Sequence, residues 1–121
     1  MDEHPNAALY RRAFESGDFA QAVSDDIEWW EIGSPDPVRG RDALIEHRRQ
    51  SERTWEITAD LHDVVANDAH VVAIIEATAR DGFGESISYR EAEILHVRNG
   101  EFTHRWAFAD DTEAIARFFA G

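Results

Sequence analysis

Val64-Val65-Ala66-Asn67-Asp68-Ala69-His70-Val71-Val72-Ala73-Ile74-Ile75, together with the run from Ile87 through Asn99-Gly100 to Phe108, decides how this chain folds. Two valine- and isoleucine-rich runs flank Ala66-Asn67-Asp68-Ala69, a turn-forming quartet. Asn99-Gly100 separates a second pair, and Asn-Gly is the strongest short hairpin signal because both central residues of a type I′ turn need positive φ. Residues 61–108 therefore read as three consecutive antiparallel strands, with Trp55 beginning the first long strand.

Upstream, Ala7, Tyr10, Ala13 and Phe14 recur at helical spacing as far as Ser16-Gly17, where glycine suits the position after a helix C-terminus. Asp18 and Gln21 read as a capping box for a second, shorter helix over residues 19–23, closed by Asp25-Asp26. Residues 27–32 read as a strand on which Trp29 and Trp30 face opposite ways. Gly33-Ser34-Pro35-Asp36-Pro37 must be a loop. Residues 41–53 form a third helix that is polar on most of its surface. Downstream of the strands, Asp110 or Asp111 can cap a final helix through Ile115, Phe118 and Phe119. Strands covered by helices make an α+β architecture in one domain, residues 1–121.

Composition narrows the function. Lys and Arg number 12 against 25 Asp and Glu, a formal charge of -13, which repels phosphate backbones and anionic lipid heads. No nucleic acid and no membrane are expected as partners. The chain has no cysteine, which removes disulfides and thiolate chemistry. Neither a basic start followed by an apolar run nor a bilayer-length apolar stretch is present, so a cytoplasmic protein is expected. The histidines show no metal-binding spacing and there is no phosphate-binding glycine loop, so neither a metal nor a cofactor is expected.

In order and spacing the chain resembles the nuclear transport factor 2-like superfamily, in particular its SnoaL-like polyketide cyclase and ketosteroid isomerase-like members. The resemblance is carried by Tyr10-Arg11-Arg12-Ala13-Phe14-Glu15-Ser16-Gly17-Asp18, Asp25-Asp26-Ile27-Glu28-Trp29-Trp30, Gly40-Arg41-Asp42-Ala43-Leu44, and Arg98-Asn99-Gly100-Glu101-Phe102 through Trp106 to Asp110. It implies a cone-shaped α+β barrel, a curved and mostly antiparallel sheet wrapped around a pocket by the N-terminal helices. It also implies pairing into a homodimer through the outer face of the sheet.

Five candidate catalytic residues follow from the resemblance. Tyr10 stands where ketosteroid isomerases place an oxyanion-binding tyrosine, Glu31 falls near their base, and Glu93 matches their protonated aspartate. Asp110 matches the base that SnoaL-like proteins use in ring closure, and His104 stands where an acid is common. Each has a plainer reading as well. Tyr10 fits a helix core face, Asp110 fits an N-cap with Glu113 three positions on, and His104 fits a neighbour of Trp106. Tyr89, Glu91, Glu93, Leu95 and Val97 share one strand face, which either lines the pocket or meets solvent. On the last strand His104, Trp106, Phe108 and Asp110 share parity, and Trp106 is expected to line the interior with Tyr10. Phe14, Trp29, Trp30, Trp55, Trp106 and Phe108 are the aromatic candidates for binding a small hydrophobic molecule. Glu76 is expected to pair with Arg90 or Arg105.

The expected function is that of a small-molecule pocket protein, with isomerisation or aldol-type cyclisation of a hydrophobic carbonyl compound as its enzymatic form. A ligand-binding or dimerising module without catalysis is the alternative, and epoxide hydrolysis or hydration a third reading.

Overall fold

A computed structural model describes residues 3–120. Within them lie three α-helices, α1 (Pro5–Ser16), α2 (Arg41–Thr54) and α3 (Thr112–Ala120), and six strands: β1 (Val23–Trp29), β2 (Val38–Arg39), β3 (Glu56–Ala66), β4 (His70–Arg80), β5 (Ser86–Arg98) and β6 (Glu101–Ala109). The strands form one curved sheet in the order β2-β1-β6-β5-β4-β3. All neighbours are antiparallel except β1 and β6, which run parallel. The α+β class expected from the sequence is the one observed.

Local chemistry explains most boundaries. Pro5 occupies the first turn of α1, where its missing N–H costs nothing, and Gly17 ends that helix at φ 73°. Asn99 and Gly100 sit at φ 53° and 77°, as the hairpin turn requires. Asp111 caps α3, its carboxylate accepting from the Ala114 N–H at 3.0 Å. Of the two aspartates offered for that cap, Asp110 is not the one used.

Several expectations need correction. The meander has four strands rather than three, because residues 56–66 and 70–80 are separate strands joined by a tight turn at Asn67, whose side chain accepts from the Ala69 and His70 N–H groups. The second helix shrinks to a 3₁₀ turn over Phe19–Gln21; Asp18 accepts from the Gln21 side chain at 2.8 Å rather than capping a backbone N–H. The first strand begins at Val23, so Asp25 and Asp26 are exposed strand residues rather than a helix end.

The largest correction concerns side-chain parity on β6. His96 pairs with His104 and Val97 with Phe102, which leaves Thr103 as an extra residue, a β-bulge. One extra residue reverses every side chain beyond it. Phe102 is fully buried, and Arg105, three residues on rather than two or four, is buried on the same face. His104, Trp106 and Phe108 turn to the outer face, where Phe108 is 57% exposed. Trp106 therefore does not line the interior. It stacks on His104 with ring planes 15° apart and meets His96 edge-on.

The core lies between the inner face of the sheet and α1 and α2. Tyr10, Phe102, Ile27, Leu44, Ile75 and Leu95 are its largest fully buried side chains. Leu44 is the only residue of α2 that is fully sequestered, which explains why that helix reads as polar.

Candidate active site

Tyr10 and Glu93 are 83 positions apart in the chain and meet inside the fold, the tyrosine hydroxyl donating to Glu93 Oε1. Helix α1 delivers Tyr10 because Ala7, Tyr10 and Ala13 form its buried stripe. Strand β5 delivers Glu93 because Glu93 lies on the same face as Leu95. A carboxylate in a core needs compensation, and Arg105 supplies it. Its Nε donates to Glu93 Oε2 at 2.6 Å and its Nη2 also contacts that oxygen.

Arg105 holds more than one partner. Nη1 donates to the Trp30 carbonyl at 2.8 Å and lies 3.9 Å from Glu31, while Nη2 lies 3.9 Å from Glu91. The guanidinium also sits 4.4 Å from the centroid of the Trp29 ring, a cation–π contact. One arginine is thus surrounded by three carboxylates, a planar donor fork of the kind only Arg presents.

The three carboxylates differ in environment. Burial alone would raise the Glu31 carboxyl, but hydrogen bonds from His47 and Trp29 and the charge of Arg105 outweigh it and hold it at about 2. Trp29 Nε1 donates to Glu31 Oε1 at 2.6 Å, and His47 Nε2 lies 3.4 Å from the same oxygen. The Glu31 contact raises His47 in return. Both oxygens of Glu93 are occupied as acceptors. Glu91 is the different one: burial, then the neighbouring Glu93, push its carboxyl up to about 7 despite Arg105. Its proton is therefore held more tightly than that of a solvated glutamate. Two residues earlier, burial raises the Tyr89 phenol. Among the described residues the Tyr89 hydroxyl has no hydrogen-bond partner.

The aromatic candidates divide in the same way. Phe14 stacks on Tyr10 at 6.2 Å, Trp29 is buried under Arg105, and Trp55 packs edge-on against Phe119 at 4.9 Å, with Tyr89 also edge-on to Phe119 at 6.4 Å. Trp30 is half-buried beyond the end of β1, its carbonyl taken by Arg105. Helix α3 reaches this region through a close approach at Gly33, where a Cβ would lie 3.3 Å from Ala116. Trp106 and Phe108 stand on the outer face.

Of the five candidate catalytic residues, the fold unites Tyr10, Glu93 and Glu31 around Arg105. It separates Asp110 and His104 from them. Asp110 is exposed at the end of β6, where its carboxylate accepts from the Arg90 N–H at 3.3 Å and that bond lowers it. His104 lies 3.6 Å from Glu28 on the outer face. Glu76 also faces outward, across from Arg90, and Arg105 is not its partner because Arg105 points inward. Sequence reasoning missed Arg105 and underrated Glu91. The parity of Glu91 with Glu93 signalled the second; only the bulge could have signalled the first.

Tyr10→Phe is expected to destabilise the fold by about 1–3 kcal/mol, because it leaves a buried Glu93 oxygen without its donor. Urea unfolding of the two proteins measures this. A change within error would show that the hydroxyl contact contributes nothing.

Residues 7–105 match the model of the SnoaL-like domain. No curated protein matches the chain in sequence. Solved structures match its fold closely. An NTF2-like protein from Burkholderia xenovorans LB400 superimposes with a TM-score of 0.79 at 23% identity, covering 97% of both chains. A protein assigned as a SnoaL-like polyketide cyclase from Jannaschia sp. CCS1 gives 0.79 at 14% identity, over 99% of this chain and 96% of that one. An LEH-like epoxide hydrolase from M. tuberculosis gives 0.74 at 16%, over 96% and 90%. At these identities the structural matches speak for the fold, and the domain match speaks for the family: the chain belongs to the SnoaL-like domain family.

Proposed function

We propose that this chain is a small-molecule pocket protein that transfers a proton on a hydrophobic carbonyl substrate without a cofactor. The observation that carries the reading is the placement of Glu91 on the inner face of the sheet, two residues from Glu93 on one side and from Tyr89 on the other and 3.9 Å from Arg105, where burial and Glu93 raise its carboxyl. A general acid–base works best when its pKa lies near the operating pH, and a proton removed next to a carbonyl needs a donor at the oxygen that becomes negative.

In this reading the Glu91 carboxylate takes a proton from the carbon beside the carbonyl, and the enolate oxygen accepts a hydrogen bond from Tyr89. The protonated Glu91 then returns the proton to another carbon, which is isomerisation. In cyclisation the enolate carbon attacks a second carbonyl, and the proton goes to the new alkoxide. Tyr10 and Glu93 hold Arg105, and Arg105 tempers Glu91. Since Arg105 is outnumbered by its carboxylates, the site favours a neutral substrate over an anionic one.

The test is hydrogen–deuterium exchange at the α-carbon of hydrophobic ketones and lactones in D₂O. Exchange above the buffer rate is expected for at least one compound. Asp110→Asn is expected to leave that rate unchanged, since Asp110 lies on the opposite face. Saturable binding with no exchange across the panel would instead identify a non-catalytic ligand-binding domain.

We further propose that the outer face pairs two copies. Ile74, Ala92 and Phe108 lie side by side across β4, β5 and β6, and Val65, Ile74 and Phe108 are 56%, 43% and 57% exposed. A contiguous apolar patch of this kind is unusual on a monomer. Sedimentation at tens of micromolar is expected to give twice 13.8 kDa, and Phe108→Glu to shift it towards the monomer. A parent protein sedimenting at 13.8 kDa would defeat the proposal.

A further inference from the structure

The outer face of the sheet carries a row of polar side chains that the proposed reaction does not use. His70 on β4 pairs with His96 on β5, and His96 pairs with His104 on β6, which in turn neighbours Glu28 on β1. The row crosses the end of the sheet that bears the Asn67 and Asn99-Gly100 turns. His70 is exposed, and His96 and His104 are partly so.

His70 Nε2 and His96 Nε2 stand 3.1 Å apart. Their ring centroids are 4.5 Å apart and their planes 86° apart, so the rings converge at an angle rather than meeting head-on. Two imidazole nitrogens at this spacing match the donor pair of a transition-metal ion. With metal–nitrogen bonds of about 2.0–2.1 Å, nitrogens so placed subtend roughly 98° at the ion, between the tetrahedral and square-planar values. We propose that His70 and His96 form a two-histidine site for a divalent transition-metal ion of the zinc or nickel class.

The local chemistry supports it. Both ligands project from paired strands, so the backbone fixes their separation and little ordering is needed on binding. Without metal, one imidazole must donate its Nε2 proton to the other. On binding, that proton moves to Nδ1 of the same ring, so both Nε2 lone pairs face the ion and no net charge is lost. The acidic chain, at a formal -13, favours a cation at its surface. Among the described residues no three His, Cys, Asp or Glu side chains converge on one point. The site is therefore a two-ligand one, with its remaining coordination positions open to water or to an added donor.

His104 stands next in the row, with its ring centroid 5.4 Å from that of His96. Its Nδ1 contacts Thr103 Oγ1 at 3.0 Å and its Nε2 lies near Glu28, which keeps it out of the pair.

The experiment titrates the full chain with Zn²⁺, and separately with Ni²⁺, in a non-coordinating buffer at neutral pH. Heat and imidazole ¹⁵N shifts are both followed. One equivalent of saturable uptake is expected, with the Nε2 signals of His70 and His96 moving and that of His62 staying in place. His70→Gln and His96→Gln are each expected to weaken uptake by about tenfold or more, since losing a ligand costs at least as much as losing its outer-shell support. His62→Gln is expected to change nothing. Far-UV circular dichroism of each variant confirms that it is folded. No saturable uptake by the parent, or uptake unchanged in both ligand variants, would overturn the proposal.

Discussion

Arg105→Gln should lower the stability of the fold by about 3–5 kcal/mol, the cost of leaving buried charge without its counterion. The guanidinium is only 7% exposed and the Glu93 side chain 6%, so water cannot replace the lost partner. Glu31 and Glu91 also lose their common counterion. Against a typical total of about 5–15 kcal/mol, the change is large. For a domain of this size it corresponds to a drop of roughly 10–20 °C in melting temperature. Thermal unfolding followed by circular dichroism measures it. Adding Glu93→Gln to Arg105→Gln should recover part of the loss, because the uncompensated carboxylate is then gone. A melting temperature unchanged by Arg105→Gln would mean that the carboxylates do not depend on it.

Glu91→Gln should cost about 10²- to 10⁴-fold in exchange or turnover, the usual consequence of removing a positioned general base. The same substitution has a signature that needs no substrate. Because the folded-state carboxyl is raised to about 7 from an ordinary value near 4.5, the folded chain binds more protons than the unfolded chain between those pH values. Stability from this group is therefore full below pH about 4.5 and declines as pH rises to about 7. In Glu91→Gln that decline should vanish. Glu31 contributes in the opposite sense. Held at about 2, it favours folding above the ordinary carboxylate range, and that contribution fades as pH falls towards 2. Its side chain is 43% exposed, so solvent screening makes its share small.

What could be read from the sequence followed from local rules. The apolar spacing of Ala7, Tyr10 and Ala13 marked α1, Gly17 marked its end, and Asn99-Gly100 marked the last hairpin. Tyr10 and Glu93 were singled out separately by resemblance, and the fold joins them. Other features depended on tertiary context. Residues 19–23 carry a capping pattern, yet Phe19 and Val23 are both needed in the core and the chain turns into β1 instead. The bulge at Thr103 has no glycine or proline to announce it, so Trp106 was expected inward. That single residue turned His104, Asp110 and the last two aromatic candidates away from the site and brought in Arg105. Glu91 could be placed on the face of Glu93 by parity, but its raised carboxyl depends on burial that the sequence does not display.

Glu91 is where the account can be tested most directly, by following the side-chain carboxyl carbons of ¹³C-glutamate-labelled protein through a pH titration. The resonance missing from Glu91→Gln identifies the signal. The account predicts that it titrates with a midpoint near 7, well above the remaining glutamates. A midpoint in the ordinary range around 4.5 would contradict it, since the Glu91 carboxylate would then be a base poorly matched to neutral pH for taking a proton from carbon.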